Sequence, residues 1–454
     1  MSDTIAAIST TVGESGIGIV RLSGRDALDI GKKVFKGINT DKEIENRKLA
    51  YGHIIDKDEI IDEVLVAFMK EPYTYTRENM VEIYCHGGII AVKRVLDLLL
   101  HSGSRLAERG EFTKRAFLNG RLDLSQAEAV IDMINSKTDK SFEVSLDQLK
   151  GNLSIKVEEI MEIILGMLAH IDVCIDFPDE DFEEAAYDDL LGDAKRIKTE
   201  IDALLETADR GKVLREGLNT VILGKPNVGK SSLLNSLLRE NRAIVTNIPG
   251  TTRDIIEEYL NIDGVPLRII DTAGIRDTDD EVEKIGVNRA RDMVKDADLI
   301  ISVFDMSEEL SQEDYEIIDL IKDKKSIILL NKMDLDVKLD RKYIEDNFHN
   351  NIIESSLTEG FGLKDLEDLI KSMFYSGNIQ SNSDVMVTNI RHKNQLVLGK
   401  ESIQSVINDL NARVPMDCIE VDLNNSWNAL GEISGSTIGE DVLDRIFSEF
   451  CIGK

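Results

Sequence analysis

The chain has 454 residues and carries 54 Lys and Arg against 85 Asp and Glu, a formal net charge of −31. That length exceeds one ordinary hydrophobic core and predicts roughly three domains. The acidic balance opposes unaided docking on a phosphate backbone or an anionic membrane, so an RNA substrate would need a local basic patch or a basic partner.

Residues 1–120 read as an α+β domain. Ile17–Leu22, Glu63–Phe68 and Met80–Tyr84 alternate or cluster in the manner of strands, and Ile89–Leu100 has helical periodicity. Cys85-His86 resembles a metal pair, but neighbours on a strand point to opposite faces, which favours a structural role. The other cysteines, Cys174, Cys418 and Cys451, are scattered with no CxxC, so no disulfide framework or zinc knuckle is indicated and a reduced cytosol fits. Met1-Ser-Asp-Thr4 lacks Lys and Arg and no long apolar region follows, so no signal peptide is expected.

From 121 to 215 the pattern turns helical. Leu146, Leu149, Leu153, Val157, Ile160, Ile164, Met167 and Ile171 form one expected stripe, Asp176–Asp181 with its Pro and dense acid a kink, and Leu190–Ala208 a second helix. Ile160–Ile171 is interrupted by Glu162 and His170 and is too short to span a bilayer.

Residues 216–377 alternate strand and helix, which predicts a doubly wound parallel sheet. Gly224-Lys-Pro-Asn-Val-Gly-Lys-Ser231 follows the apolar run Thr220–Leu223 and so sits where a strand hands over to a helix. Its glycines let backbone N–H groups face a β-phosphate, Lys230 supplies charge for the β/γ oxygens, and Ser231 offers a hydroxyl to Mg²⁺. The helix opening at Lys230 adds its positive end. Asp271-Thr-Ala-Gly274 ends the strand Val265–Ile270, where Asp271 reaches the Mg²⁺ shell and the Gly274 amide the γ-phosphate. Asn331-Lys-Met-Asp334 ends Ser326–Leu330, and Asp334 is placed to accept from the two N–H donors of guanine, which adenine lacks in that geometry. Three motifs in this order point to GTP. Residues 378–454 return to helix, with Val387–Leu410, Ile419–Ile433 and Val442–Phe450. A helical domain interrupted by an inserted nucleotide domain is the simplest arrangement.

The whole chain resembles the tRNA-modification GTPase family called MnmE or TrmE. The residues that carry the likeness are Gly110-Glu-Phe-Thr-Lys-Arg-Ala-Phe-Leu-Asn-Gly120, Leu122-Asp-Leu-Ser-Gln-Ala-Glu-Ala129, Gly250-Thr-Thr-Arg-Asp254 and Phe450-Cys-Ile-Gly-Lys454. Glu108-Arg109 departs from the Pro usual before Gly-Glu-Phe, and Arg121 from a common Lys. The resemblance implies a folate-binding and dimerising domain at 1–120, helical parts at 121–215 and 378–454, and a GTPase domain at 216–377.

The guanine-nucleotide set it implies takes in Asn227, Val228, Gly229, Lys230, Ser231 and Ser232, then Thr246, Asn247, Ile248, Pro249, Gly250, Thr251 and Thr252. It continues with Asp271, Thr272, Ala273 and Gly274, with Asn331, Lys332 and Asp334, and with Ser355 and Ser356. The position that orients water in many small GTPases is Ile275 here, which cannot do so. The resemblance implies instead a K⁺ ion held by Asn227, Thr246, Ile248 and Thr251 when two such domains meet. Thr252 would join Ser231 on Mg²⁺, and Glu283 would orient the water, with Lys230 as the other catalytic group. For Glu283 and its acidic surroundings a solvated surface is the plain reading of the residues alone.

In the N-terminal domain the resemblance implies that Arg21, Glu82, Arg121 and Lys454 contact a tetrahydrofolate one-carbon derivative, in a 5-formyl or methylene form. Read alone, each would be a surface ion pair. Cys451 is a candidate reactive thiol with one Lys and no His beside it. The activity implied is GTP hydrolysis coupled to adding an aminomethyl or carboxymethylaminomethyl group at C5 of the wobble uridine of certain tRNAs, in the cytoplasm. The partners implied are a second copy, a flavin-dependent protein of the MnmG/GidA type, and tRNA, without a membrane. A ribosome-assembly or translational GTPase, which would carry a basic RNA-binding module, and a GTP-switched scaffold are the alternatives.

Overall fold

The computed structural model describes residues 3–38, 45–176, 180–240, 258–270, 293–348, 351–374 and 385–454. Contacts divide the chain into two units. One comprises Met1–Ile131, Gln148–Leu190 and Asn408–Lys454, the other Asp132–Asp147 and Leu191–Ile407. The helices between and after the two sheets are thereby shared between both units.

In the first unit a seven-stranded sheet runs in the order β3-β4-β5-β6-β2-β1-β7. Its strands are β1 (Ile5–Ile8), β2 (Gly18–Ser23), β3 (Phe35–Gly37), β4 (Leu49–Asp56), β5 (Glu59–Met69), β6 (Met80–Cys85) and β7 (Arg105–Leu106). Alternation decides what each face carries. Val20, Leu22, Val81, Ile83 and Cys85 join the core with Ile30 and Val34 of α1 (Ala27–Val34) and Val92, Val95 and Leu99 of α2 (Ile89–His101). Ile19, Arg21, Glu82 and Tyr84 take the opposite face. Cys85 is buried with its Sγ 3.3 Å from Gly18 O, whereas His86 lies outside and pairs with Asp62 at 2.7 Å, so the two diverge as the alternation requires.

The helices are α3 (Glu111–Leu118), α4 (Leu124–Asn135), α5 (Asp139–Leu149), α6 (Asn152–Asp176) and α7 (Glu180–Glu216). The stripe expected to run unbroken from Leu146 into Ile171 crosses a break: Gly151, at φ +89°, separates α5 from α6. α7 is longer than the expected Leu190–Ala208 at both ends, because Ala186, Tyr187 and Leu214 extend its buried stripe. No described helix is long and apolar enough to cross a membrane.

The second sheet has the order β13-β12-β11-β8-β10-β9. Its members are β8 (Leu218–Leu223), β9 (Glu258–Ile262), β10 (Val265–Ile269), β11 (Leu299–Asp305), β12 (Ser326–Asn331) and β13 (Ile352–Glu354). The helices here are α8 (Lys230–Glu240), α9 (Gln312–Ile321), α10 (Arg341–Phe348) and α11 (Leu363–Phe374). Leu299, Ile301, Val303, Ile327 and Leu329 pack on one side, and Ile300, Phe304, Ile328 and Leu330 on the other, which is why these strands read as continuous apolar runs. The sheet is not wholly parallel as expected. β9 pairs antiparallel with β10 across the tight Asp263-Gly264 turn and forms the edge. The chain closes with α12 (Ile390–Ala412), α13 (Met416–Ser434) and α14 (Glu440–Ser448).

A buried ion network ties α3 to the first strands. Arg115, 1% exposed, donates to Asp3 Oδ1 at 3.0 Å, Glu78 Oε2 at 3.1 Å and Glu111 Oε1 at 2.9 Å, while Arg105 Nη2 reaches Glu111 Oε1 at 2.7 Å. Burial alone would raise the Glu111 pKa, but Arg105, the Glu108 N–H and Arg115 together hold it below the usual range. A depressed folded-state pKa means stability present above the unfolded value and lost as pH falls through the folded one. Glu111→Gln leaves Arg115 buried against less charge and is expected to cost about 3 kcal/mol at neutral pH. Denaturant melts between pH 7 and pH 3 should show a flatter acid limb in this variant than in the parent.

Candidate functional site

The carboxyl ends of β8, β11 and β12 gather the described nucleotide motifs at one edge of the sheet, the position where open α/β sheets hold ligands. Between β8 and α8 the loop runs through positive φ at Gly224, Asn227 and Gly229. At Gly229 a Cβ would stand 2.3 Å from Asn331 Nδ2, so only glycine lets the base loop approach the phosphate loop this closely. Asn331, buried, uses that approach: its Nδ2 donates to Val228 O at 2.8 Å and its Oδ1 accepts from Leu357 N at 3.1 Å. The Asn side chain therefore pins three loops together. Lys230 Nζ donates to Gly224 O at 2.7 Å and Lys225 O at 2.6 Å, holding its charge over the loop. Ser231 and Ser232 are exposed at the first turn of α8, and Asp334 is exposed beyond β12, where its carboxylate is open to a base.

Ser355 and Ser356 lie in the loop behind Asn331. Both are buried; Ser355 N donates to Leu330 O at 2.7 Å, Ser356 N to Phe361 O at 3.2 Å, and the Ser355 Oγ turns toward Asn331 Oδ1 at 3.4 Å. These hydrogen bonds shape the loop behind Asn331. Thr246, Asn247, Ile248, Pro249, Gly250, Thr251, Thr252, Asp271, Thr272, Ala273, Gly274 and Glu283 lie outside the described residues.

Three acids escaped the sequence reading. Lys225 pairs with Asp314 Oδ2 at 2.7 Å and Glu308 Oε2 at 3.6 Å, and Lys332 pairs with Asp305. Asp314 also caps α9 by accepting from Ser311 N and Oγ at 2.8 Å each. Burial would raise the Asp305 pKa, but Lys332 and both donors of Ser307 hold it low. The turn from β11 to α9 thus braces the phosphate loop through one lysine and the base loop through another. An acid ending a buried strand, as Asp305 does, was the available signal; Asp314 gave none.

A second cluster lies on the open face of the first sheet. Arg21 and Glu82 are register partners on β2 and β6. Glu82 Oε1 accepts from Arg21 Nε at 2.8 Å and Nη2 at 2.7 Å, and Oε2 from Tyr84 OH at 2.8 Å. Tyr84 is pushed up to about 12 by burial and by Glu82, so it stays a donor. With three acceptor sites used, Glu82 has room for one further hydrogen bond. Two guanidinium groups stand over the Tyr75 ring, with Arg121 Cζ 4.6 Å and Arg21 Cζ 5.7 Å from its centroid.

The chain's last residues complete this cluster. Gly110 N donates to Cys451 O at 3.3 Å, Arg109 forms a bridge with Ile452, and Gly453 O lies 3.5 Å from Arg21 Nη1. Burial, then the charge of Arg21, lowers the Lys454 pKa. Cys451 itself is exposed. All four residues expected to meet folate, and the candidate thiol, come to one face. Tyr84, two residues after Glu82 on a strand, was legible from the period of two; Tyr75 and Phe112, whose ring centroid is 5.7 Å from Arg21 Cζ, were not. Among the described residues no group of His, Cys, Asp and Glu forms a metal cluster. Ser231 at the helix start is the described hydroxyl suited to a hard cation beside phosphate.

The family model described as "MnmE helical domain" matches residues 124–451, and "GTP-binding protein TrmE N-terminus" matches 4–121. The "tRNA modification GTPase MnmE" of Finegoldia magna is 53% identical over 100% of both chains, and that of Bacillus subtilis 50% identical over 100% of both. Among solved structures, the G domain of the T. maritima FeoB iron transporter matches at 29% identity over 34% of this chain and 96% of that one, with a TM-score of 0.25.

If the acidic brace orders the phosphate loop, Lys225→Met and Asp314→Asn should each weaken guanine-nucleotide affinity about tenfold, the loss of one partly buried charged pair. The double variant should be no weaker than either single one. Titration with a fluorescent guanine nucleotide measures all three.

Proposed function

The chain belongs to the MnmE family of tRNA modification GTPases, and from that premise we propose how its two clusters divide the work. It hydrolyses GTP. The observation that carries the mechanism is the carboxyl edge of the second sheet, where Asn331 locks the base loop to the phosphate loop.

In this reading Asp334 accepts from the two guanine donors, and an adenine nucleotide would leave that carboxylate unmatched. Lys230 releases the carbonyls of Gly224 and Lys225 and moves its ammonium to the β/γ oxygens, where charge builds in the transition state. Backbone N–H groups of the loop and the start of α8 add fixed positive ends that need no reorganisation. Ser231 fits a Mg²⁺ ion by its exposed hydroxyl, with Thr252 the second protein oxygen; bound there, the ion would neutralise charge on the phosphates. Asn227, exposed at φ +62°, is open to a K⁺ ion, with Thr246, Ile248 and Thr251 as its other ligands. When two nucleotide domains meet, that ion would supply the charge of an arginine finger. Glu283 orients the water in place of the residue that Ile275 cannot be.

The N-terminal cluster is assigned to a tetrahydrofolate one-carbon derivative. Supporting it are the convergence of Arg21, Glu82, Arg121 and Lys454 and the aromatic ring of Tyr75 beside two cations, a setting that suits a flat heterocycle with an anionic tail. The one-carbon unit would supply the methylene of an aminomethyl or carboxymethylaminomethyl group placed on C5 of the wobble uridine of certain tRNAs. A flavin-dependent partner of the MnmG/GidA type would bring redox equivalents and, given a net charge of −31 here, much of the RNA contact. A homodimer through the 1–120 domain, segments at 121–215, 216–377 and 378–454 for the helical and nucleotide parts, and a cytoplasmic setting complete the proposal.

GTP hydrolysis is expected to run at least about tenfold faster in KCl than in NaCl at matched ionic strength, the scale of one well-placed charge. Equal rates would remove K⁺ from the mechanism. Calorimetric titration with 5-formyltetrahydrofolate should give saturable binding that Arg21→Ala loses. Undiminished binding by that variant would move the folate site elsewhere.

A further inference from the structure

The β9–β10 hairpin lies in the chain between Thr252 and Asp271, the residues placed on either side of the Mg²⁺ and γ-phosphate. Stretches that meet a γ-phosphate rearrange when it leaves, and here any such rearrangement acts on both roots of one hairpin at the edge of the sheet, whose inner strand β10 is paired with β8. What its tip touches is then a matter of function. Lys140 Nζ donates to Asp263 O at 3.0 Å, and its methylene stem lies across Gly264, where a Cβ would stand 2.4 Å from Lys140 Cδ. Lys371 pairs with the Asp263 carboxylate, and Lys137 Nζ sits 5.4 Å from the Tyr259 ring centroid.

Lys137 and Lys140 belong to Asp132–Asp147, the helical stretch that packs within the same unit as the nucleotide domain. The turn that carries them is internally fixed: Thr138 N donates to Ser141 Oγ at 3.1 Å, and Ser141 N donates back to Thr138 Oγ1 at 3.1 Å. One turn of α4 earlier, Asp132 Oδ1 accepts from Arg215 Nε at 2.8 Å, and Arg215 stands three residues before β8, the strand that ends in the phosphate loop. The Asp132–Lys140 elbow is therefore held at one end by Arg215, in the last turn of α7 just before β8, and at the other by the hairpin tip. Because β10 is paired with β8 from Leu267 to Ile269, what the tip can pass on is a small shift of Asp263 and Gly264 against the elbow.

We propose that Lys140 is a coupling residue: it seats the β9–β10 tip on the α4–α5 elbow and so passes the nucleotide state to the helical part of the chain. The inference rests on the GTPase reading above and adds the route by which hydrolysis reaches tRNA modification. Exposed lysine contacts contribute little to folding, so the seat's value lies in register rather than in stability.

The test is hydrogen exchange of backbone amides 138–142 in the full-length protein with GDP and with a non-hydrolysable GTP analogue. In the parent, exchange is expected to differ between the two nucleotides by about fivefold or more, the lower end of an ordinary coupling free energy. Lys140→Met should abolish that difference while keeping thermal unfolding and the GTP hydrolysis rate, and should lower tRNA modification. Lys140→Arg, which keeps the cation, should retain part of it. Equal exchange in both nucleotide states of a parent that hydrolyses GTP, or an undiminished difference in Lys140→Met, would overturn the coupling alone. Absence of GTP hydrolysis in the parent would overturn the nucleotide reading and the coupling together.

Discussion

A parallel sheet covered on both faces leaves its carboxyl edge as the place where polar chemistry can be grouped without burying it. The second sheet obeys this constraint, and its nucleotide features follow from it. β8 ends in the phosphate loop, β12 in the base loop, and β11, between them in space, in Asp305. Because β8 and β12 both flank β11, the turn after β11 can reach lysines on either side. Asp305 takes Lys332, and Asp314 takes Lys225. The acids do not touch the expected position of a nucleotide, yet they hold two loops that would.

The first sheet solves a different problem. Its antiparallel strands cover one face with helices and leave the other half-exposed, so alternate residues of β2 and β6 can carry charge without entering the core. Arg21 and Glu82 neutralise one another across the register, and Tyr84 completes the carboxylate's partners. The tail Cys451–Lys454 is brought there by the Arg109–Ile452 bridge and by Phe447 and Phe450 buried against Leu124. Residues from opposite ends of the sequence thereby share one site.

In the proposed coupling, the contact between the hairpin tip and the elbow acts as a lever rather than a rigid weld. The hairpin tip rests on a lysine stem and a glycine, contacts of modest energy and narrow geometry. A joint of that kind can respond to loop positions without threatening the fold, which is the property a switch needs.

The sequence by itself determined the local grammar. Glycines and Lys230 announced a phosphate loop, the continuous apolar runs of β8 and β12 announced buried strands, and helical spacing announced α6 and α7. These depend on neighbours in the chain, where steric preference and periodicity operate. The α5–α6 break at Gly151 was missed because apolar spacing carried on across it, and the only local sign of the antiparallel β9 is Asp263-Gly264, a two-residue hairpin turn between Leu260-Asn-Ile262 and Val265. Tertiary structure alone decided the remainder. Asp314 became a brace for Lys225, Ser355 came to lie against Asn331, and Lys140 met Gly264 more than a hundred residues away. Each of these is a pairing of groups distant in sequence, and such pairing is fixed only when chain topology sets two backbones at contact distance.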